Sequence, residues 1–153
     1  MPAVGRKAPA FTLKNQRGEK VALKDYLGRK VVLFAFPKAN TGGCNAQACG
    51  FSDAVPEIDA NGAVVLGISP DAPETLARWK QNKGLAFDLL SDPEHEVLEK
   101  WGAWGEKSMY GKKYQGVIRS HWIIGEDGKI LEERIKVSPA DSVASARKFL
   151  AAG

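Results

Sequence analysis

A chain of 153 residues and 16.5 kDa has the size of one domain, and with 44% apolar and 26% charged residues it can bury enough surface to fold without disulfide staples. No apolar run approaches the roughly 20 residues of a membrane span, and Met1 to Ala10 has no apolar stretch of signal-peptide type, which predicts a cytoplasmic location. Twenty-two Lys and Arg against eighteen Asp and Glu give +4, but the opposite charges interleave, so neither nucleic acid nor a membrane is an expected partner.

The N-terminal part predicts a hairpin, because Phe11-Thr12-Leu13 and Val21-Ala22-Leu23 flank the turn signal Asn15-Gln16-Arg17-Gly18. Lys30 to Phe36 is a continuous apolar run closed by Pro37, the pattern of a strand buried on both faces of a parallel sheet. A second run, Ala63 to Ser69, follows Gly62. The helix-length stretch from about Ala46 to Asp59 between them completes a βαβ unit with a right-handed crossover. Asp71-Ala72-Pro73-Glu74 has a capping-box pattern, predicting a helix that carries Leu76 and Trp79 and ends at Gly84. Asp88 to Leu90 reads as a short strand, and Ser91-Asp92-Pro93-Glu94 as the start of a helix through Val97, Leu98 and Trp101. Lys107, Lys112 and Lys113, which with Arg119 form the densest basic group, read as a solvated loop. Ser120 to Ile124 and Lys129 to Ile135 flank the hairpin turn Glu126-Asp127-Gly128. Ser138-Pro139-Ala140-Asp141 caps a last helix with Val143, Ala146, Phe149 and Leu150 on one face. The expected fold over residues 1–153 is a single α/β domain of thioredoxin-like type, with an N-terminal β-hairpin and a mixed central sheet covered by helices on both faces. Sites in such sheets lie at the carboxyl ends of strands, which directs attention to the residues after Phe36.

That segment reads Pro37-Lys38-Ala39-Asn40-Thr41-Gly42-Gly43-Cys44-Asn45-Ala46-Gln47-Ala48-Cys49. It places Cys44 at or near the first turn of a helix, where unpaired N–H groups and the positive dipole end favour a thiolate over a thiol. Gly42 and Gly43 allow close backbone approach to a small substrate. Pro37 stiffens the strand exit, and Thr41 offers a hydroxyl to a polar ligand. Two cysteines close together in a reducing compartment point to catalysis or metal binding rather than to a structural bridge. Cys44 and Cys49 are five residues apart, about 8.6 Å in an ideal helix. A disulfide needs less than roughly 7 Å, so pairing requires the first turns to unwind. A zinc site needs about four ligands, and no metal is expected from Cys-x4-Cys alone. His95 reads as a surface residue and His121 as packing on a strand.

Pro37-x-x-x-Thr41-x-x-Cys44 is similar to the peroxiredoxin active-site pattern, and the offset to Cys49 resembles the peroxiredoxin Q branch, also called bacterioferritin comigratory protein. The likeness runs from about Gly5 to Leu150. It includes Trp101-Gly102-Ala103-Trp104-Gly105-Glu106-Lys107, Met109-Tyr110-Gly111-Lys112-Lys113-Tyr114 and Gly116-Val117-Ile118-Arg119-Ser120. The resemblance implies a monomeric, atypical two-cysteine thiol peroxidase acting on hydrogen peroxide and small organic hydroperoxides, with no cofactor. It implies Cys44 as the peroxidatic cysteine and Cys49 as the resolving cysteine that closes a disulfide, with thioredoxin or a similar dithiol as reductant. Thr41 would hydrogen-bond thiolate and peroxide, Pro37 would shield the sulfenic acid, and Arg119 would stabilise the thiolate and orient peroxide oxygens.

Three positions depart from the branch: Gly42 for the usual Pro, Asn45 for Thr and Gln47 for Glu. The last removes a carboxylate from the arginine network. A disulfide oxidoreductase of thioredoxin type fits less well, because that chemistry uses Cys-x-x-Cys. A redox sensor that keeps the fold and reacts once without cycling is the alternative of a different class.

Overall fold

In a computed structural model, which describes residues 3–152, strands β1 (Thr12–Asn15) and β2 (Lys20–Ala22) form the expected hairpin, and a 3-10 turn over Leu23–Tyr26 leads out of it. Strand β3 (Lys30–Ala35), helix α1 (Gly42–Ala60), β4 (Ala63–Ser69), α2 (Pro73–Lys83) and β5 (Asp88–Ser91) make two successive βαβ units. Helix α3 (Glu96–Lys100), strands β6 (Trp104–Met109), β7 (Lys112–Val117), β8 (Ser120–Ile124) and β9 (Ile130–Ile135), and helix α4 (Pro139–Ala152) follow. The seven-stranded sheet runs β2-β1-β5-β4-β3-β8-β9. Strands β3, β4 and β5 are parallel, while β1 and β8 join antiparallel at either side. This is a thioredoxin-like α/β fold with a mixed sheet.

The apolar run of β3 is explained by its place in the sheet. Val32 and Phe34 face one core, together with Phe51 of α1, Trp79 of α2 and Ala146 of α4. Val31 and Leu33 face the other, with Leu98 of α3 and the edge-to-face pair Trp101–Trp122. Helices therefore cover both faces. Phe34 stacks on Phe51 with ring centroids 5.0 Å apart, and Phe36 meets Trp79 at 4.9 Å, so aromatic contacts bind α1 and α2 to the strand that leads to the Cys44 segment. No helix among the described residues is long and apolar enough to cross a membrane.

Four local expectations change. Helix α1 begins at Gly42, ahead of the expected Ala46, because the extended backbone of Thr41 already starts it. Asp71 does not cap α2. Ala72 holds that position with Pro73 at the first turn, and the Asp71 carboxylate is taken up by the Ala39 N–H and the Ser69 hydroxyl. Helix α3 starts only at Glu96, after His95 in the left-handed region at φ 48°, and the Asp92 carboxylate accepts the Leu98 N–H instead of capping earlier. The three lysines of the expected loop lie on a two-stranded ribbon, β6–β7, whose turn residues Tyr110 and Gly111 both have positive φ, as a tight two-residue hairpin requires.

Gly67 of β4 lies where the β3 aromatics cross the sheet. A Cβ there would sit 2.8 Å from Leu89 Cδ2, 3.0 Å from Phe34 Cζ and 3.1 Å from Phe36 Cε1. Gly67→Ala is expected to overpack this face and to destabilise the fold by about 1–3 kcal/mol. A urea titration checks this: the midpoint should fall with no change in slope.

Candidate active site

The segment after β3 is held by the ends of three strands. The Phe36 N–H donates to the Ile68 carbonyl at 3.1 Å. The Asp71 carboxylate accepts the Ala39 N–H and the Ser69 hydroxyl, each at 2.8 Å, and the Ser91 hydroxyl donates to the Asp71 carbonyl at 2.6 Å. Asp71 is thus a clamp for the loop carrying Pro37, Asn40 and Thr41. Asn40 adopts φ 62°, a region that Asn tolerates better than most residues. Pro37 is half-buried at the strand exit.

Thr41 stands at the N-cap of α1, and its carbonyl accepts the Asn45 N–H at 2.7 Å. Its hydroxyl is exposed and donates to the Lys38 carbonyl at 2.9 Å. Cys44, in the first turn, is fully buried and carries a free thiol. Arg119, in the connection between β7 and β8, points Nη2 at the Cys44 sulfur from 3.5 Å. The absence of a side chain at Gly43 makes room for this approach, because a Cβ there would lie 2.9 Å from that same Nη2. The helix N-terminus and the guanidinium therefore converge on one sulfur, and both favour negative charge. Arg119 also lines an open cleft with Glu106, Lys107, Lys136 and Ser138, so it links the buried sulfur to solvent.

Cys49 is half-buried, also free, and packed against the core beneath α1. Both cysteines sit on one unbroken helix, at a separation of about 8.6 Å for ideal geometry. Between them, Asn45 accepts a hydrogen bond from Trp79 Nε1 at 2.7 Å, which ties the first turn of α1 to α2.

Behind Arg119 lies a polar chain of which the sequence indicated only Gln47. Arg119 Nη1 donates to Gln47 Oε1 at 2.8 Å, and Gln47 Nε2 donates to Ser142 Oγ at 3.0 Å. Ser142 Oγ is 2.7 Å from His121 Nδ1, and His121 Nε2 is 2.7 Å from Glu132 Oε1. Gln47, Ser142 and His121 have no solvent exposure. His121 is a bonded member of this chain rather than simple packing. Spacing could have found it: His121 follows Arg119 by two on extended backbone, and Gln47 follows Cys44 by three on a helix, so each pair shares a side. Burial pushes the His121 pKa below the ordinary histidine range, and the hydrogen bond and charge of Glu132 oppose this only in part. No group of three or more His, Cys, Asp or Glu among the described residues could hold a metal ion.

The pattern of the AhpC/TSA family matches residues 4–133. The chain is 49% identical over 123 residues to peroxiredoxin Bcp of Escherichia coli K12, covering 80% of this chain and 79% of the relative. It is 40% identical over 147 residues to peroxiredoxin Bcp of Bacillus subtilis, covering 96% and 94%. Among solved structures, the bacterioferritin comigratory protein of Xanthomonas campestris superposes with a TM-score of 0.90 at 27% identity, covering 98% of each chain. A cysteine-to-serine mutant of peroxiredoxin Q from Xylella fastidiosa superposes at 0.93 with 25% identity, covering 99% of this chain and 97% of the other.

The buried histidine has a consequence for stability. An unfolded histidine protonates near pH 6.5, whereas His121 in the folded chain resists protonation. As pH falls through about 6.5 the unfolded state binds the extra proton, so folding stability should decline on the acid side and recover as pH rises. His121→Asn is expected to flatten this slope between about pH 7.5 and 5.5, as read by urea unfolding at a series of pH values. Equal slopes for the two proteins would refute the linkage.

Proposed function

The chain belongs to the AhpC/TSA family, in its peroxiredoxin Q branch, and from that membership we propose that it reduces hydrogen peroxide and small organic hydroperoxides with Cys44 as the attacking sulfur. That it is a thiol peroxidase follows from the family. The choice of sulfur rests on one observation: Cys44 is the cysteine at the N-terminus of α1 with a guanidinium at 3.5 Å.

The Cys44 thiolate attacks one peroxide oxygen, the O–O bond breaks, and the other oxygen leaves as water or alcohol after taking a proton. The sulfur is left as a sulfenic acid. Arg119 stabilises the thiolate and the charge that develops on the leaving oxygen, from a site largely closed to water. Thr41 meets the peroxide with the hydroxyl that bonds Lys38 in the free protein, and Pro37 shields the sulfenic acid. Cys49 then attacks the Cys44 sulfur, the S–O bond breaks, and water leaves as the disulfide forms. This step requires the first turns of α1 to unwind, because their ideal separation of about 8.6 Å exceeds the roughly 7 Å that a disulfide spans. Unwinding breaks the bond between Asn45 and Trp79. Thioredoxin or a similar dithiol returns the two electrons. Because both cysteines lie on one helix, the cycle closes within a monomer, and a reducing cytoplasm suits it.

Stopped-flow tryptophan fluorescence after one equivalent of hydrogen peroxide, with mass spectrometry of the products, tests this. Wild type should show two phases and end as an intramolecular disulfide. Cys49→Ser should lose the second phase and stop at oxidised Cys44, and Cys44→Ser should react at least about 1,000-fold more slowly. Equal rates for the two single variants would exclude the assigned roles.

Gly43→Ala gives a separate expectation. Its Cβ meets only the end of a flexible arginine and the Pro139 ring, so stability should change little, within about 1 kcal/mol. The displaced guanidinium should slow the peroxide step about tenfold or more, measured in the same instrument.

A further inference from the structure

We infer that His121 is a positioning residue for the peroxide step: together with Ser142 and Glu132 it holds Gln47, and through Gln47 the Arg119 guanidinium, in the orientation that meets Cys44. The inference rests on the reading of Cys44 as the attacking sulfur.

The direction of every hydrogen bond in the chain is forced. Arginine has donors and no acceptor, so Gln47 must turn Oε1 toward Arg119 Nη1. That turns Gln47 Nε2 toward Ser142 Oγ, which accepts. The Ser142 proton must then be donated onward, and its near partner is His121 Nδ1 at 2.7 Å. Nδ1 must therefore present a lone pair, the ring proton sits on Nε2, and Nε2 donates to the Glu132 carboxylate at 2.7 Å. All the bonds donate one way, from a cation to a carboxylate. The three central side chains have no exposure, so water cannot replace a missing link.

A neutral amide at position 47 makes this length necessary. A carboxylate would accept from Arg119 with either oxygen. Gln47 can do so with one atom only, and a flipped amide would present N–H to N–H. Ser142 prevents the flip only while its own proton is taken by Nδ1. Protonation of Nδ1 would make it a donor and reverse that link.

The surroundings of His121 keep it neutral. Strand β9 presents Glu132 and Arg134, and Glu132 is shared with Arg134 at 3.8 Å and with the Ser145 hydroxyl at 3.2 Å. Helix α4 presents the hydroxyls Ser142 and Ser145, α1 presents the Phe51 ring in a T-shaped contact, and Phe34 lies opposite on β3. Arg119 is the remaining cation, reached through the chain itself. Burial disfavours the charged imidazole, in keeping with the lone pair at Nδ1.

The test separates hydrogen bonding from packing. In the full chain, the second-order rate with hydrogen peroxide is measured by stopped flow for His121→Phe, His121→Asn, Ser142→Ala and the double variant His121→Phe with Ser142→Ala. Phe fills the space of the ring but offers no acceptor, and should slow the peroxide step about tenfold. Asn leaves more empty space but places an oxygen near the Nδ1 position, and should stay within about threefold of wild type. Ser142→Ala should also slow the step about tenfold, and the double variant should be no slower than the single ones, because one broken chain cannot be broken twice. Rates within twofold of wild type for folded His121→Phe and Ser142→Ala would overturn the inference. So would Asn as slow as Phe, or a double variant as slow as the product of the singles. If His121→Phe does not fold, Ser142→Ala decides by the same criterion. Failure of wild type itself to react rapidly would overturn the Cys44 reading instead, whereas fast wild type with unmoved variants would overturn this inference alone.

Discussion

The site depends on one contact, the Arg119 guanidinium 3.5 Å from a sulfur that no water touches. A buried thiolate without a partner is disfavoured by desolvation, whereas the half-buried Arg119 guanidinium keeps access to the open cleft. The guanidinium supplies part of what such a sulfur lacks, and the N–H groups at the start of α1 supply more. The contact also imposes demands on its neighbours. Position 43 cannot carry a side chain without displacing the guanidinium, and the second arm of Arg119 needs an acceptor, which is Gln47.

The scaffold that carries the site lies behind it, at the ends of three strands. Strands β3, β4 and β5 end together, and Asp71 joins them by bonding the loop of β3, the end of β4 and Ser91 of β5. Helix α1 leaves from this clamp and is stacked through Phe51 on Phe34. Its first turn is held by the bonds from Trp79 to Asn45 and from Arg119 to Cys44, with the Cys44 side chain buried in the core. The proposed disulfide step asks for movement in the first turns of α1 and for none in the sheet, so it must break these two bonds and draw Cys44 out of the core.

What the sequence made legible follows the range of the interactions. Strands β3 and β4 are near-continuous apolar runs because each is buried on both faces, and α4 announces itself by Ser138, whose hydroxyl accepts the Asp141 N–H. The ribbon β6–β7 lacks that signal because it stands off the core, with β7 exposed over most of its length. Asp71 has a cap's local spacing, but its partners lie at Ala39 and Ser69, and a local pattern cannot distinguish the two uses. Within the site, Cys44, Thr41 and Pro37 share one segment and could be read together. Arg119 needed a resemblance to known sequences to be singled out, and its supporting chain through Ser142, His121 and Glu132 is spread over three elements.

Gln47 shows how a local departure redistributes charge. A carboxylate at that position would neutralise Arg119 at close range, an attraction of about 4 kcal/mol for charges 4 Å apart at an effective dielectric of 20. With an amide there, the carboxylate that ends the chain is Glu132, beyond Ser142 and His121. Glu132 is itself shared with Arg134 on the outer strand. The orientation of the guanidinium is then set through neutral groups, while its positive charge is left facing the sulfur. On the proposed reading this keeps the geometry that a glutamate would give and offers the Cys44 thiolate a less compensated cation, at the cost of a longer chain in which every buried donor must find its acceptor.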